Sequence, residues 1–208
     1  MVSMMLFNIE TNTFAPDYLV TDNEQNWVEV NDEEIDGISA SITGGGAVWL
    51  ESGRVKYSGK APTEYHVFDS KSKSFKVSED KKTEFFKRKK EILLNTLSDK
   101  VDKIKNGLLI GYPQTEIESF YRQEKEALAW QADNKVDTPM LKQIARERGV
   151  PFEVLVEKVI EKSSQFAVVI GVIIGQRQAF EDRLLDAKTL EELTALEKEI
   201  EEWTFQAN

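Results

Sequence analysis

The sequence of 208 residues contains no cysteine and a single histidine, His66. The absence of cysteine excludes disulfide bonds and thiolate metal sites. Without a second histidine, a zinc site would have to rest on carboxylates, which are a poor match for that metal. We therefore expect no bound metal and no cofactor. His66 stands among strand-forming residues, and we expect it to be structural.

We expect no secretory leader at the start of the sequence, and the common catalytic motifs do not occur in it. Its start, MVSMMLFNIE, has no basic region followed by an apolar stretch, so we expect a protein that works in a cytoplasm. No HExxH, GxSxG or GxxxxGK[ST] pattern occurs. Adjacent carboxylates arise by chance among 37 acidic residues. We predict that the protein is not an enzyme; a glycan hydrolase with two paired carboxylates is the alternative.

Basic residues are too few for a nucleic-acid-binding protein. The net charge is −10, with 5 basic and 12 acidic side chains in residues 1–75 and 12 and 19 in residues 107–208. Only residues 76–106 have an excess of basic side chains, 10 against 6, which suits a solvated helix face. Acidic domains repel phosphate backbones, so we predict no nucleic-acid partner.

Short alternating apolar and polar runs dominate the N-terminal part of the chain. One hairpin is predicted over 48–57, turning at 51–54, and a second pairs 64–68 with 74–77. The pattern changes near Ser78 to apolar residues at helical spacing with lysine and glutamate between them. We predict a β-rich module over 1–77 and a connecting amphipathic helix within 78–112.

Residues 113–208 are punctuated as helices. Thr115–Glu118 and Thr189–Glu192 read as capping boxes, each opening a helix. Thr138 followed by Pro139 starts a short helix that Gly149 closes. We therefore predict an α+β protein: a small N-terminal β-rich module, a connecting amphipathic helix and a C-terminal all-helical domain.

Residues 166–175 read FAVVIGVIIG, ten apolar or glycine residues in a row. A membrane-spanning helix needs about 20 apolar residues, so we predict no membrane insertion. We expect the middle of a long helix that neighbouring helices bury on all sides. Two alternatives are a GxxxG pairing in lipid through Gly171 and Gly175, and an exposed surface for self-association or a partner.

Several stretches resemble one family of phage proteins. APTEYHVFD at 61–69, followed by KSKSF and a charged helix, is similar to a module of tail fibre and tail fibre assembly proteins of tailed phages. WVEVNDEE at 27–34 resembles an upstream segment of that family, and QTEIES at 114–119, WQADN at 130–134 and AKTLEELT at 187–194 resemble a helical domain of phage tail-associated proteins. Two departures are Phe75, where tryptophan is usual, and a C-terminus without the Trp-Pro ending of the compact chaperones.

The resemblance implies a tail fibre assembly chaperone, which binds the C-terminal tip of a fibre polypeptide and promotes its folding and trimerisation in the host cytoplasm. A structural component of the virion tail is the alternative. The implied partner is the tail fibre protein, and the helices offer a surface for a homo-oligomer. From aromatic content and family position, we expect the partner-binding region to lie around five residues: Trp27, Trp49, Tyr57, Tyr65 and Phe68. Three of these aromatics would also suit a sugar platform: Trp27, Trp49 and Tyr57.

Overall fold

A computed structural model describes residues 4–20 and 26–205. The predicted ranges 1–77 and 113–208 therefore include residues outside those described, and the start that was assessed for a leader lies partly among them. The chain divides into two compact units, Met1–Arg88 and Lys89–Asn208. The first unit carries antiparallel strands and the second is helical, which confirms the α+β class.

A three-stranded antiparallel sheet opens the first unit. Strand β1 (Met5–Asn8) lies between β2 (Thr13–Pro16) and β3 (Trp27–Val30), and Phe7 faces Phe14 on one side and Val28 on the other. A 3₁₀ turn, Asp17–Leu19, follows β2. Helix α1 (Asp32–Thr43) covers the sheet, and four buried residues form the core: Phe7, Val30, Ile38 and Val55.

Helix α1 begins at a capping box. The side chain of Asn31 accepts from the N–H of Glu34, and the Glu34 carboxylate accepts in return from the N–H of Asn31, both at 2.9 Å. Each bond satisfies a donor that the helix leaves without an internal partner. The sequence predicted a β-rich module over this range, whereas the structure also has a helix of 12 residues there.

Both predicted hairpins are confirmed. Strands β4 (Val48–Glu51) and β5 (Arg54–Tyr57) join through Ser52 and Gly53, whose φ angles are 52° and 77°. Strands β6 (His66–Asp69) and β7 (Ser74–Val77) form the second pair. Two central turn residues with positive φ match the twist of the paired strands, which explains the short loop.

The second unit consists of helices whose ends mostly follow the predicted signals. Helix α2 (Glu79–Leu108) crosses the boundary between the units and is followed by α3 (Gln114–Ala132), α4 (Pro139–Arg148), α5 (Phe152–Asp186) and α6 (Leu190–Glu202). One cluster joins α3, α4 and the start of α5, through five buried residues: Ala127, Leu141, Ala145, Leu155 and Val156. Trp130 meets Phe152 edge-on beside this cluster at 5.4 Å between ring centroids. The predicted boundaries at residues 77 and 112 stay predictions.

Helix α6 and the end of α5 pack together by a ring contact and polar bonds. Phe180 and Trp203 lie 5.6 Å apart between ring centroids, and the indole N–H of Trp203 donates to Gln176 at 3.0 Å. Arg183 forms two bonds of 2.7 Å to the carboxylate of Glu199. This bidentate hydrogen bond raises the pKa of Arg183 and lowers the pKa of Glu199.

Lysines of α2 bond to the carbonyl ends of two other helices. The ammonium of Lys90 donates to the carbonyl of Leu185 at 2.6 Å, beside the last turn of α5. Lys100 donates to the carbonyl of Glu201 at 2.5 Å and to that of Ile200, at the end of α6. The last carbonyls of a helix have no internal partner, and a cation is favourable there.

The capping box at Thr189 and Glu192 is confirmed, but the one predicted at Thr115 is wrong. The N-cap of helix α3 is Pro113, two residues before Thr115, and it has no side-chain cap. Pro113 has φ −61° and ψ 147°, an extended geometry that leads directly into the helix, so Thr115 already lies inside the first turn. The pattern at Thr115–Glu118 therefore matches a capping box although the helix begins before Thr115.

Helix α4 has the predicted Pro139 at its start and Gly149 at its end, in the left-handed conformation with φ 62°. The Thr138 hydroxyl makes no cap bond; instead the N–H of Leu141 donates to the carboxylate of Glu126 on α3, at 3.0 Å. Among the described residues the buried Thr138 hydroxyl has no hydrogen-bond partner. The start of α4 is therefore capped by a residue of the preceding helix.

The prediction that neighbouring helices bury the run 166–175 on all sides is wrong. The run is helical and lies in the middle of α5, but only Ile173 is buried, and Val169 and Ile170 are half-buried. Helices α3 and α4 pack on the first part of α5, and α6 packs on its last part. One side of the middle of α5 is therefore left uncovered. The prediction failed because an apolar sequence shows that a helix can be buried, but not whether a neighbouring helix packs against it.

Candidate interaction site

Two of the five expected partner-binding aromatics meet in the first unit. The rings of Trp49 on β4 and Phe68 on β6 stack with centroids 5.3 Å apart and planes 24° from parallel. Phe75 on β7 meets Phe68 edge-on at 5.5 Å, and the ammonium of Lys73 lies 4.4 Å from the centre of the Trp49 ring. This aromatic cluster (Trp49, Phe68, Phe75 and Lys73) joins the two hairpins.

The other three expected residues pack elsewhere in the same unit. Trp27 is half-buried on β3, opposite Asn8 of β1. The ring of Tyr57 lies over Gly37 of α1, where an added Cβ would overlap it. The ring of Tyr65 lies between those of His66 and Phe85 of α2, with centroid distances of 5.4 Å and 5.6 Å. Trp27, Tyr57 and Tyr65 therefore lie in three different places in the first unit.

The indole N–H of Trp49 is buried and has no hydrogen-bond partner in the part of the chain that the structure describes. A buried donor normally finds an acceptor, and leaving it without one costs about 1–3 kcal/mol. Trp49 as a whole is only half-buried. Part of the indole ring is therefore open to a partner, whereas its N–H is enclosed.

An open hollow of about 450 Å³ lies along the second hairpin, beside Phe68. Its lining includes the ion pair of Asp69 and Lys76. The hydrogen bond from Lys76 holds the pKa of Asp69 well below its usual range, and the N–H groups of Ser72 and Lys71 act in the same direction. Asp69 is therefore an anion that also fixes the turn between β6 and β7.

His66 is held by local contacts. Its Nδ1 atom lies 2.7 Å from the hydroxyl of Thr63, and its ring stacks on Tyr65. Across residues 4–20 and 26–205, the structure contains no group of three or more histidine, aspartate or glutamate side chains that could hold a metal ion. The contacts of His66 accord with a structural part in this hairpin.

A second candidate surface lies on α5, in the helical unit. We define the α5 outer face as six residues that are all exposed: Ala167, Val168, Gly171, Val172, Gly175 and Ala179. Val168 keeps 68% of its surface exposed and Val172 keeps 45%. A Cβ added at either glycine would meet no further described atom within 4 Å. The face is thus apolar, carries its smallest side chains in the middle, and is not covered by any other described residue.

Helix α5 is long and apolar enough, by length and composition alone, to cross a membrane. One such helix is weak evidence, since a core helix of a soluble protein passes the same test. Only 6% of its apolar window is buried here, so burial in a core does not account for the composition. Exposed apolar surfaces of this kind mark interaction sites in many proteins.

Acidic side chains flank the α5 outer face at both ends. Glu157 and Glu161 precede it, Asp182 and Asp186 follow it, and all four are exposed. Steps of three and four residues connect these positions to Val168, Gly171 and Gly175, so they share one side of the helix. The two nearest arginines are paired: Arg177 with Glu181 at 2.8 Å, and Arg183 with Glu199.

Comparison with known proteins places part of this surface in a named domain. The model of a family described as the HI1402 helical domain matches residues 161–203, which cover the α5 outer face and all of α6. An uncharacterized protein of Haemophilus influenzae is 80% identical over 66 residues, 32% of this chain and 97% of that protein. No solved structure matches the chain. The chain therefore belongs to the family of this Haemophilus influenzae protein.

Proposed function

We propose that the protein is a non-enzymatic assembly chaperone, which binds a phage tail fibre polypeptide at its C-terminal tip and promotes its folding and trimerisation. The observation that carries the proposal is the aromatic cluster that joins two hairpins in the first unit. The phage context rests on the resemblance of residues 27–34 and 61–75 to tail fibre assembly proteins. Binding to the fibre would take place in the host cytoplasm.

Strand addition is the mechanism that suits this unit. Each hairpin is a sheet of two strands, so each of its strands is paired on one side only within the described chain. An extended segment of a fibre chain can add to such an edge by backbone hydrogen bonds, while pockets for its side chains give specificity. Trp49 and Phe68, which are both half-buried, would contact the apolar side chains of the segment.

A chaperone of this kind would help three fibre chains to align in the correct register. The three chains must align before their strands can pair, and strand edges that are still unpaired are prone to aggregation. Covering one edge in each chain until all three are present would keep the fibre soluble. Release would then follow when the trimer provides a better partner for the same edge.

Co-expression with the neighbouring fibre gene tests the proposal. We would compare soluble, SDS-resistant fibre trimer without the protein, with it, and with its Trp49→Ala and Phe68→Ala variants. Tyr18→Ala is the matched control, since Tyr18 is an aromatic of the same unit that is 74% exposed and outside the cluster. Trp49→Phe keeps a stacked ring without the N–H and guards against simple misfolding.

We expect more trimer with the protein present, less with the two alanine variants, and no change with Tyr18→Ala. Trimer yield that is the same with and without the protein would refute the chaperone function. If the protein is then found in purified particles at a fixed ratio to the fibre, it is a structural tail component.

A further inference from the structure

We infer that the α5 outer face docks a helix of another protein, one that is apolar in its middle and carries lysine or arginine at both ends. The inference concerns the helical unit and does not depend on the aromatic cluster or on the identity of the fibre. Its basis is the open apolar surface together with the charges that border it.

Small residues recur along this face at the spacing that helix packing requires. Ala167, Gly171, Gly175 and Ala179 are each four positions apart. Rows of residues at i and i+4 form the grooves of a helix, and small side chains let a second helix backbone approach closely. Because nothing described lies within 4 Å of a Cβ added at Gly171 or Gly175, this groove is empty. A helix fits such a groove better than a loop or a strand.

The apolar surface alone is too short to hold a partner firmly. From Ala167 to Ala179 the face is about 18 Å long at the usual rise per residue. Stable interfaces bury about 800 Å² on each partner. A strip of about three turns on one helix provides less than that, so the residues at its ends must take part in any specific complex.

On the side of the helix that carries the outer face, those ends are acidic, whereas Lys158 and Lys162 lie further round the helix. Glu157 and Glu161 lie before the strip, and Asp182 and Asp186 lie after it, with about 32 Å of helix between Glu161 and Asp182. Lys158 approaches Glu161 at 3.4 Å, but this pair is exposed and such pairs contribute little. A partner helix with basic residues about 32 Å apart would find a counter-charge at each end.

The same acidic residues disfavour the two other possible occupants of this face, a second copy of the chain and a lipid surface. Two copies pairing through this face would bring acidic ends together in the parallel and in the antiparallel arrangement, and like charges are unfavourable in both. Anionic lipid headgroups would meet the same repulsion.

A pair of synthetic peptides tests the inference on the full chain. Both would be helices with the same apolar, small-residue middle; one carries lysines at its two ends and the other carries glutamates at those positions. Fluorescence anisotropy at low and high salt would give their affinities. Steric variants would be Gly171→Leu and Gly175→Leu, with Gly107→Leu as the matched control, because Gly107 is another exposed helical glycine with open space around it.

We expect the lysine peptide to bind at least about tenfold more tightly than the glutamate peptide at low salt, with a difference that shrinks as salt screens the charges. Gly171→Leu should abolish binding, Gly107→Leu should leave it intact, and Asp182→Asn with Asp186→Asn should reduce the salt dependence. Circular dichroism of each variant would show that α5 remains helical.

Three results would overturn the inference. Equal affinity for the two peptides would mean that the charges are not recognised. A dimer of the chain by sedimentation, converted to a monomer by Gly171→Leu, would mean that a second copy occupies the face. Flotation with phosphatidylcholine–phosphatidylglycerol vesicles would mean that lipid covers it. Each result leaves the fibre-trimer assay unaffected, so the two proposals can fail separately.

Discussion

Replacing Gly171 and Gly175 by alanine should make the isolated protein more stable. Both glycines lie in the interior of α5, and a Cβ at either position would meet no further described atom within 4 Å. The substitution therefore adds helix propensity without a steric cost. In a helix interior, glycine is about 0.5–1 kcal/mol less favourable than alanine, so the double variant should gain about 1–2 kcal/mol.

Urea unfolding followed by circular dichroism at 222 nm would measure this gain. The midpoint should rise with each substitution while the slope stays constant, because the surface exposed on unfolding hardly changes. Thermal unfolding should show an increase of about 2–4 °C for each 1 kcal/mol in a chain of this size. Gly107→Ala on α2 is the matched control, since it adds a methyl group to an equally open helical position.

A neutral or destabilising effect at Gly171, with a gain at Gly107, would refute this reasoning. It would mean that other atoms lie close to the backbone at Gly171 in solution, either because a second copy packs there or because α5 is bent. If the gain is found, the protein keeps two glycines that lower its own stability. That cost is the expected consequence of a surface selected for close approach by a partner.

Four further substitutions test separate contacts by urea unfolding. Gly46→Ala should lower the free energy of unfolding of the first unit by about 1–3 kcal/mol, because its Cβ would overlap a backbone carbonyl oxygen; a neutral result would mean that the turn adapts. Thr138→Val should raise the free energy of unfolding by about 1 kcal/mol by removing a buried hydroxyl without a partner, whereas a loss would show that the hydroxyl caps α4. Thr189→Ala should lower it by about 1 kcal/mol through loss of the α6 cap, and an unchanged value would contradict the capping box. The N–H of Lys188 holds the pKa of Glu192 below its ordinary 4.5, so the contribution of this carboxylate is present above pH 4.5 and lost as pH falls through the lower folded value. The stabilities of wild type and Glu192→Gln should therefore converge as the pH falls below 4.5, and a difference that stays constant with pH would contradict the linkage.

Features set by neighbouring residues could be predicted from the sequence. The two hairpins, the left-handed Gly149 and the box at Thr189 depend on a few residues close in the chain, and all are confirmed.

Features set by distant parts of the chain could not be predicted. The cap of α4 comes from Glu126, 15 residues before Leu141, and no local pattern indicates it. The stacking of Trp49 on Phe68 depends on how two hairpins meet. The exposed middle of α5 depends on where α3, α4 and α6 end, and the apolar pattern is the same whether or not another helix covers it.

The cap that Glu126 supplies to α4 also has a consequence for folding. A helix of ten residues is marginal by itself in water. Its first turn is completed only when α3 is in place, so the two helices should form and open as one cooperative segment. Amide hydrogen exchange at Leu141 would then report the docking of α3 and not the local fraying of α4. Because these contacts lie close in sequence, that segment should form early as the chain leaves the ribosome.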